Sequence, residues 1–142
     1  KEAFSICFRK PEWLAGEAAL TINGEAATYE AENNWYVVNR EWKDGDTVVI
    51  DLPMNLYYSV VENGETAEDT VYAVKYGPVT LACDGAVADL KSYIPLTEDA
   101  NTLLTRQETG MIFTAARNSG IVFKPYYSYE EGKPYTLYIS TK

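Results

Sequence analysis

The chain contains no histidine. That removes in one stroke the commonest general base at neutral pH and the commonest zinc ligand. It has only two cysteines, Cys7 and Cys83, far apart in the sequence. Such a pair is neither a disulfide framework nor a zinc-ligand spacing, and both read as small buried residues on strands, with a single bridge left open for an exported parent. No apolar run approaches the roughly 20 residues of a membrane-spanning helix. Positive charge is scarce: 12 Lys and Arg stand against 21 Asp and Glu, a formal charge of −9. A field of that sign repels phosphate backbones and anionic lipid, so nucleic acid and polybasic membrane attachment are not expected partners. There is no Gly-x-Ser-x-Gly elbow, phosphate-binding glycine loop, EF-hand loop, heptad or internal repeat.

What is present is strand grammar. The 142 residues are 46 % hydrophobic, enough for a proper core in one domain or one domain with an appendage. Phe4, Ile6 and Phe8 alternate with Ser5 and Cys7, the period of a half-buried strand, and Pro11 ends it because proline cannot donate to a ladder. Leu20-Thr21-Ile22 runs into Asn23-Gly24, a pair that tolerates positive φ at both centres of a tight hairpin, so a return strand is expected near residues 26–30. Trp35–Arg40 is a β-branched and aromatic run; Asp44-Gly45 reads as a second turn, and Asp46–Leu52 alternates Val48, Ile50 and Leu52 with Thr47, Val49 and Asp51 until Pro53. Tyr36, Val38 and Trp42 are expected to face the core that Val48 and Ile50 face, with Trp42 closing the hairpin end and its indole N–H needing one acceptor there.

Further strands are expected over 57–61, 71–76, 79–83, 112–115, 121–125 and 135–140. Gly77-Pro78 is a tight bend or a kink between two collinear pieces. Glu62 to Asp69 reads as an acidic, solvated loop. Residues 86–93 and 98–108 have room for a turn or two of helix without a strong cap. The fold class that follows is all-β, an antiparallel β-sandwich of jelly-roll type with one or two short helices within 86–108. The expected organisation is a main sandwich over 1–85, an irregular or partly helical connection over 86–110, and C-terminal strands over 111–142 that complete the sandwich or form a small appended unit. The numbering begins at Lys1, within two residues of a strand, and the chain reads as a piece of a longer protein. For that protein a periplasmic or secreted location is favoured over a cytoplasmic one.

Candidate chemistry is thin. A glycosidase needs two carboxylates roughly 5–9.5 Å apart across a cleft, but most of the acids here occupy turns, among them Glu12, Glu17, Asp44, Asp46, Asp84, Glu130 and Glu131, where backbone hydrogen bonding and solubility explain them. Asp44 and Asp46 alone fall far short of the six or more oxygens of a calcium site. No metal and no cofactor is expected. The unusual feature is aromatic: 12 tyrosines and 3 tryptophans. Sugar rings stack their C–H faces on exposed aromatic planes, and Trp13, Tyr57, Tyr58, Tyr126, Tyr127 and Tyr129 are the candidates for a glycan platform or an interface. Tyrosine is equally a strand and interface residue, and adjacent tyrosines on a strand point to opposite faces. Trp42, Asn23, Gly24, Asp44, Gly45, Gly77 and Pro78 read as structural.

The segments FSICFRKPEW, LTINGEA, WYVVNREWKDGDTVVIDLPM and VYAVKYGPVTLACD, in that order, resemble the β-sandwich that follows the catalytic barrel in bacterial enzymes of glycoside hydrolase family 127, which includes β-L-arabinofuranosidases. The tail IVFKPYYSYEEGKPYTLYIS resembles the ending of the same enzymes more loosely. One departure is Tyr76-Gly77-Pro78, where the family has an arginine in the place of Tyr76. The resemblance implies that the reaction belongs to an α-helical barrel carrying a zinc-bound cysteine nucleophile and a glutamate. No residue here matches those elements, so no catalytic residue is carried over, and the expected role is that of a non-catalytic accessory domain. Its expected partner is the parent's own barrel. A homodimer contact and a plant polysaccharide are the other partners left open, which makes a carbohydrate-binding module and a cell-surface interaction domain the competing readings.

Overall fold

A computed structural model describes residues 1–62 and 69–141. The expected acidic loop therefore lies, apart from its ends Glu62 and Asp69, outside the described residues. The regular secondary structure of the described residues is antiparallel β-strand apart from two 3₁₀ turns and one short helix. It divides between Met54 and Asn55 into two compact units, Lys1–Met54 and Asn55–Lys142. The division thus falls just after Pro53 and not near residue 85. The strands expected over 57–83 pair with the later strands, and residues 86–110 are built into the second unit instead of connecting two parts.

The first unit contains β1 (Glu2–Arg9), β2 (Ala19–Ile22), β3 (Glu25–Ala26), β4 (Glu30–Glu32), β5 (Trp35–Trp42) and β6 (Val48–Asp51). They form two three-stranded sheets, ordered β1-β5-β4 and β3-β2-β6. Between the sheets lie Leu20, Ile22, Val38 and Trp42, with Ile6, Phe8, Tyr29, Val48 and Ile50 packed against them. The alternation on β1 and β6 sends every second side chain inward, as the sequence requires. Cys7 has the opposite parity to Ile6 and Phe8 and is exposed, correcting the expectation that it is buried. The Trp42 indole N–H donates to the Phe4 carbonyl at 2.9 Å, so the buried indole has its acceptor.

The turn at Asn23-Gly24 has φ of 55° and 85°, the double positive φ of a type I′ hairpin. Its return strand is only two residues long, and the chain then crosses to the other sheet as β4. A second pair with positive φ, Asn33-Asn34, joins β4 to β5 and was not singled out from the sequence. Asp44-Gly45 is a turn but not the hairpin expected, because β5 and β6 belong to different sheets and do not pair. It is a corner, and Asp46 holds it. Its carboxylate accepts from the Lys43 N–H at 3.0 Å and from Asn23 Nδ2 at 2.9 Å. Asn23 Oδ1 in turn accepts the Thr47 N–H at 2.9 Å. One asparagine thus shapes its own hairpin and fastens the corner beside it.

The second unit contains β7 (Leu56–Glu62), β8 (Val71–Tyr76), β9 (Val79–Asp84), a 3₁₀ turn (Leu90–Ser92), α1 (Ala100–Leu103), β10 (Leu104–Arg106), β11 (Phe113–Ala115), β12 (Asn118–Pro125), a second 3₁₀ turn (Tyr126–Ser128), β13 (Tyr135–Thr136) and β14 (Ile139–Ser140). The sheet order is β10-β11-β12-β9-β8-β14, with β7 on the other edge of β8 and β13 against β9. Gly77-Pro78 is the tight bend of the two readings. Tyr76 pairs with Val79, and a glycine with positive φ (54°) followed by a proline fits a type II′ turn. Inward residues of these strands, Tyr72, Val74, Leu81, Cys83, Phe113 and Phe123, are essentially inaccessible and form one core with Ile94.

The final strand expected over 135–140 is split in two. Beyond Val74 and Leu81, β8 and β9 are no longer paired, and the tail fills the fork between them. Thr136 pairs with Cys83 on β9, while Ile139 pairs with Tyr72 on β8. Burial of the Ile139 side chain there is worth about 1.5–3 kcal/mol by transfer arguments. The helix α1 does have a cap: Asp99 accepts the Asn101 N–H at 2.9 Å. Asn101 then reaches β7, its amide accepting the Leu56 N–H at 3.0 Å and donating to the Leu56 carbonyl at 2.9 Å.

Candidate functional site

The aromatic candidates divide by strand parity and by what their hydroxyls do. Tyr58 points into the second unit's core, edge-on to Tyr72 with centroids 5.3 Å apart. Its hydroxyl is buried without a hydrogen-bond partner, and burial, followed by the nearby Tyr72, Asp99 and Glu98, pushes its ionisation well up. Tyr57, one residue earlier, faces outward and donates to the Gly77 carbonyl at 3.0 Å. Tyr129 donates to the Ala82 carbonyl at 2.8 Å, and the Lys124 ammonium lies 4.2 Å from its ring centre. The hydroxyls of Tyr57 and Tyr129 are thus engaged within the fold, and the Tyr58 ring is packed against the core. Tyr126 and Tyr127 occupy the 3₁₀ turn and are 49 % and 64 % exposed. Their planes meet at 74°, so together they make no flat platform. Trp13 sits half-buried in the turn Pro11–Leu14 of the first unit, beside Arg9, Pro11 and Glu12.

The polar groups tell a similar story. Asp46 and Asp99 are both held below the usual carboxylate range, chiefly by hydrogen bonds: from the Asn23 side chain for Asp46, from the Asn101 backbone for Asp99. A general acid needs the opposite shift. Glu98 is gripped by Arg117 through both oxygens at 2.6 and 2.7 Å, and Asp84 pairs with Lys124 at 3.1 Å. Cys83 is fully buried, and burial, with the Asp84 charge adding to it, pushes its thiol up to about 11. That is the reverse of nucleophile activation. Among the described residues no group of three or more carboxylates and thiols converges as a metal site.

One concave surface combines exposed aromatics with uncommitted polar groups. On β7, β8 and β9 the outward residues form cross-strand rows, with Tyr57 opposite Lys75 and Lys75 opposite Thr80, and Ser59 opposite Ala73. The smallness of Ala73 leaves a depression, walled by Tyr126 and by Tyr138, which is 53 % exposed. The groove encloses about 350 Å³. Among the described residues, no hydrogen bond or ion pair engages the Lys75 ammonium or the hydroxyls of Ser59, Thr80, Tyr126 and Tyr138. Of the sequence candidates only Tyr126 lines it. Lys75 and Tyr138 were missed. The signal for Lys75 was available: it is the one charge inside VYAVKY, at the parity opposite to Val74 and Tyr76. Nothing local in the sequence marked Tyr138 as exposed.

The fold is thus of the all-β, antiparallel class, with Asp46 and Asp99 engaged in a turn and a cap and one aromatic-walled groove on the second unit. Residues 1–54, which coincide with the first unit, match the sequence profile described as "Beta-L-arabinofuranosidase, GH127 middle domain". No protein with a curated description matches the sequence. Among solved structures, a glycoside hydrolase is similar at 23 % identity with a TM-score of 0.57, covering 99 % of this chain and 28 % of that one. A GH127 β-L-arabinofuranosidase from Geobacillus stearothermophilus T6 is similar at 16 % identity and a TM-score of 0.58, covering 98 % of this chain and 26 % of that one. The chain thus spans about a quarter of the length of these enzymes. The resemblance to the family 127 sandwich region holds in sequence over residues 1–54 and in fold over the whole chain.

Proposed function

We propose that this chain is a non-catalytic accessory region of a glycoside hydrolase of the GH127 type, and that the reaction is carried out by an α-helical barrel elsewhere on the parent polypeptide, against which this region packs. The observation that carries this reading is the match of the first unit to the GH127 middle domain. The chemistry of the side chains supports it. Asp46 and Asp99 are fixed as carboxylates in turn and cap, and the one deeply buried thiol is held protonated. Groups in these states position backbone and fill space; they do not transfer protons or attack an anomeric carbon near neutral pH.

The test is a comparison of two proteins on one substrate. The 142-residue chain and the full reading frame that contains it are each given an aryl β-L-arabinofuranoside. The expected result is release of the aryl alcohol by the full-length protein and none by the chain alone. Turnover by the purified chain, abolished by substituting one of its own acids, overturns the proposal. So does a parent whose remaining sequence consists of tandem sandwiches.

A further inference from the structure

We propose that the groove over β7, β8 and β9 binds a saccharide bearing a single uronate, with the sugar faces on Tyr126 and Tyr138 and the carboxylate on Lys75. The proposal concerns binding only and stands whether or not the parent is a glycosidase. Three observations converge on it. First, two tyrosine rings wall one groove, about half exposed at 49 % and 53 %. An exposed aromatic ring offers an apolar, electron-rich face beside a polar tip. A pyranose or furanose ring offers the complement, a face of polarised C–H bonds with hydroxyls around its edge. Second, the floor carries short hydroxyls, Ser59 and Thr80, around the small Ala73, and none of these hydroxyls is committed within the described protein. They are free to exchange hydrogen bonds with ring hydroxyls. At about 350 Å³ the groove lies at the small end of ligand sites, which run from roughly 300 to 1,000 Å³, and suits one or two sugar rings.

Third, Lys75 supplies the charge. In the depression lined by Asp84, Lys124, Tyr129 and Lys133, by contrast, Lys124 is engaged, since it pairs with Asp84 and lies over the Tyr129 ring. Among the described residues Lys75 has neither kind of partner, and none of those lining its groove is an acid. A half-buried ammonium with hydroxyls around it and no counter-ion favours one carboxylate. The chain's formal charge of −9 disfavours a ligand with many negative charges, such as a nucleic acid or a polyphosphate. One uronate among neutral rings satisfies both conditions.

The experiment is calorimetric titration of the chain with an aldobiouronate, a glucuronate joined to a neutral pentose. The same disaccharide with glucose replacing glucuronate serves as control. The expected outcome is binding of the acidic sugar with a dissociation constant on the order of 0.1–1 mM, weakening with added salt as an exposed ion pair does, and at least about tenfold weaker binding of the neutral sugar. Lys75→Gln is expected to remove the difference between the two sugars, and Tyr138→Ala to weaken both about tenfold. Because both residues are at the surface, unchanged thermal melting separates lost binding from lost folding. Absence of binding at 10-fold above that range, equal affinity for the two sugars, discrimination that persists in Lys75→Gln, or affinity unchanged by Tyr138→Ala overturns the proposal.

Discussion

Asn101 behaves as a piece of β-strand made from a side chain. Leu56 begins β7 and pairs with Tyr76 on one side. On its other side its N–H and carbonyl have no strand, and the Asn101 amide takes both, at 3.0 and 2.9 Å. The amide is aimed by Asp99, which accepts from Asn101 Nδ2 at 2.8 Å and from its backbone N–H at 2.9 Å. Leu56 itself is 5 % exposed, so its backbone groups have little water to fall back on. Asn101→Ala deletes both bonds and leaves a donor and an acceptor unpaired. At about 1–3 kcal/mol for each unsatisfied buried group, discounted because the site is only partly buried, the expected loss is about 2–3 kcal/mol. With a urea slope near 1.5 kcal/mol/M the midpoint for the second unit falls by roughly 1–2 M. Asn101→Asp keeps the acceptor for the Leu56 N–H but sets an anion against the Leu56 carbonyl and the Asp99 carboxylate, and is expected to be no better than alanine. The reporter is amide hydrogen exchange at Leu56 together with far-ultraviolet circular dichroism. All three tryptophans, Trp13, Trp35 and Trp42, lie in the first unit, so tryptophan fluorescence follows that unit alone. A loss below about 0.5 kcal/mol, the size of an ordinary surface substitution, with Leu56 exchange unchanged, would refute the strand-mimic reasoning.

Other predictions follow from groups whose ionisation the fold shifts. Tyr72 donates to the Ile94 carbonyl at 2.5 Å, and burial raises its pKa from 10.0 to about 12. The neutral form is the folded one, so its contribution is complete below pH 10 and is lost as pH rises towards 12; tyrosinate absorbance should appear together with unfolding, and Tyr72→Phe should cost about 1–2 kcal/mol at neutral pH. Asp46 is shifted the other way. Its contribution is present above the ordinary carboxylate value of 3.8 and is lost as pH falls below it, so Asp46→Asn should flatten the acid limb of the tryptophan-fluorescence stability curve, and an unchanged limb would count against the corner's design. Cys7 is exposed and Cys83 is buried with its thiol raised to about 11. A thiol reagent should therefore modify one cysteine at once in native protein and the second only in denaturant; rapid modification of both would contradict the packing of β9.

Which features were legible in the sequence follows from the range of the interaction that fixes them. Alternation and turn chemistry are local, so β1, β2, β5, β6, β8 and β9 fell close to their expected places, and Trp42 was rightly assigned an acceptor. Pairing is not local. Asp44-Gly45 has the residues of a hairpin, but whether the chain folds back on its own sheet or crosses to another depends on Asn23, more than twenty residues earlier, whose amide meets Asp46 at 2.9 Å. The cap of α1 was overlooked because Asp99 lies among other polar residues, and a four-residue helix gives no periodicity to announce it. The split of the tail into β13 and β14 was invisible for a further reason. It answers a gap between β8 and β9 that exists only once the sheet has curled.

The tyrosines carry the lesson over into function. A count of twelve invites a sugar-binding reading, yet Tyr29, Tyr57, Tyr72 and Tyr129 each donate to a backbone carbonyl, those of Ala18, Gly77, Ile94 and Ala82. A phenol is long enough to cross one layer of side chains and still reach main chain, which lets small sheets close their irregular joints without longer loops. The residues free for recognition are those left over after this work: Tyr126, Tyr127, Tyr135 and Tyr138, all in the last seventeen residues and each at least 45 % exposed. Composition alone could not separate the two groups because both have the same chemistry. Strand parity separates Tyr57 from Tyr58, and the presence of a carbonyl within reach separates Tyr129 from Tyr126. What marks the ligand groove is therefore the hydroxyls and the ammonium left without partners among the described residues, together with the two exposed rings that wall it, and not the number of tyrosines in the chain.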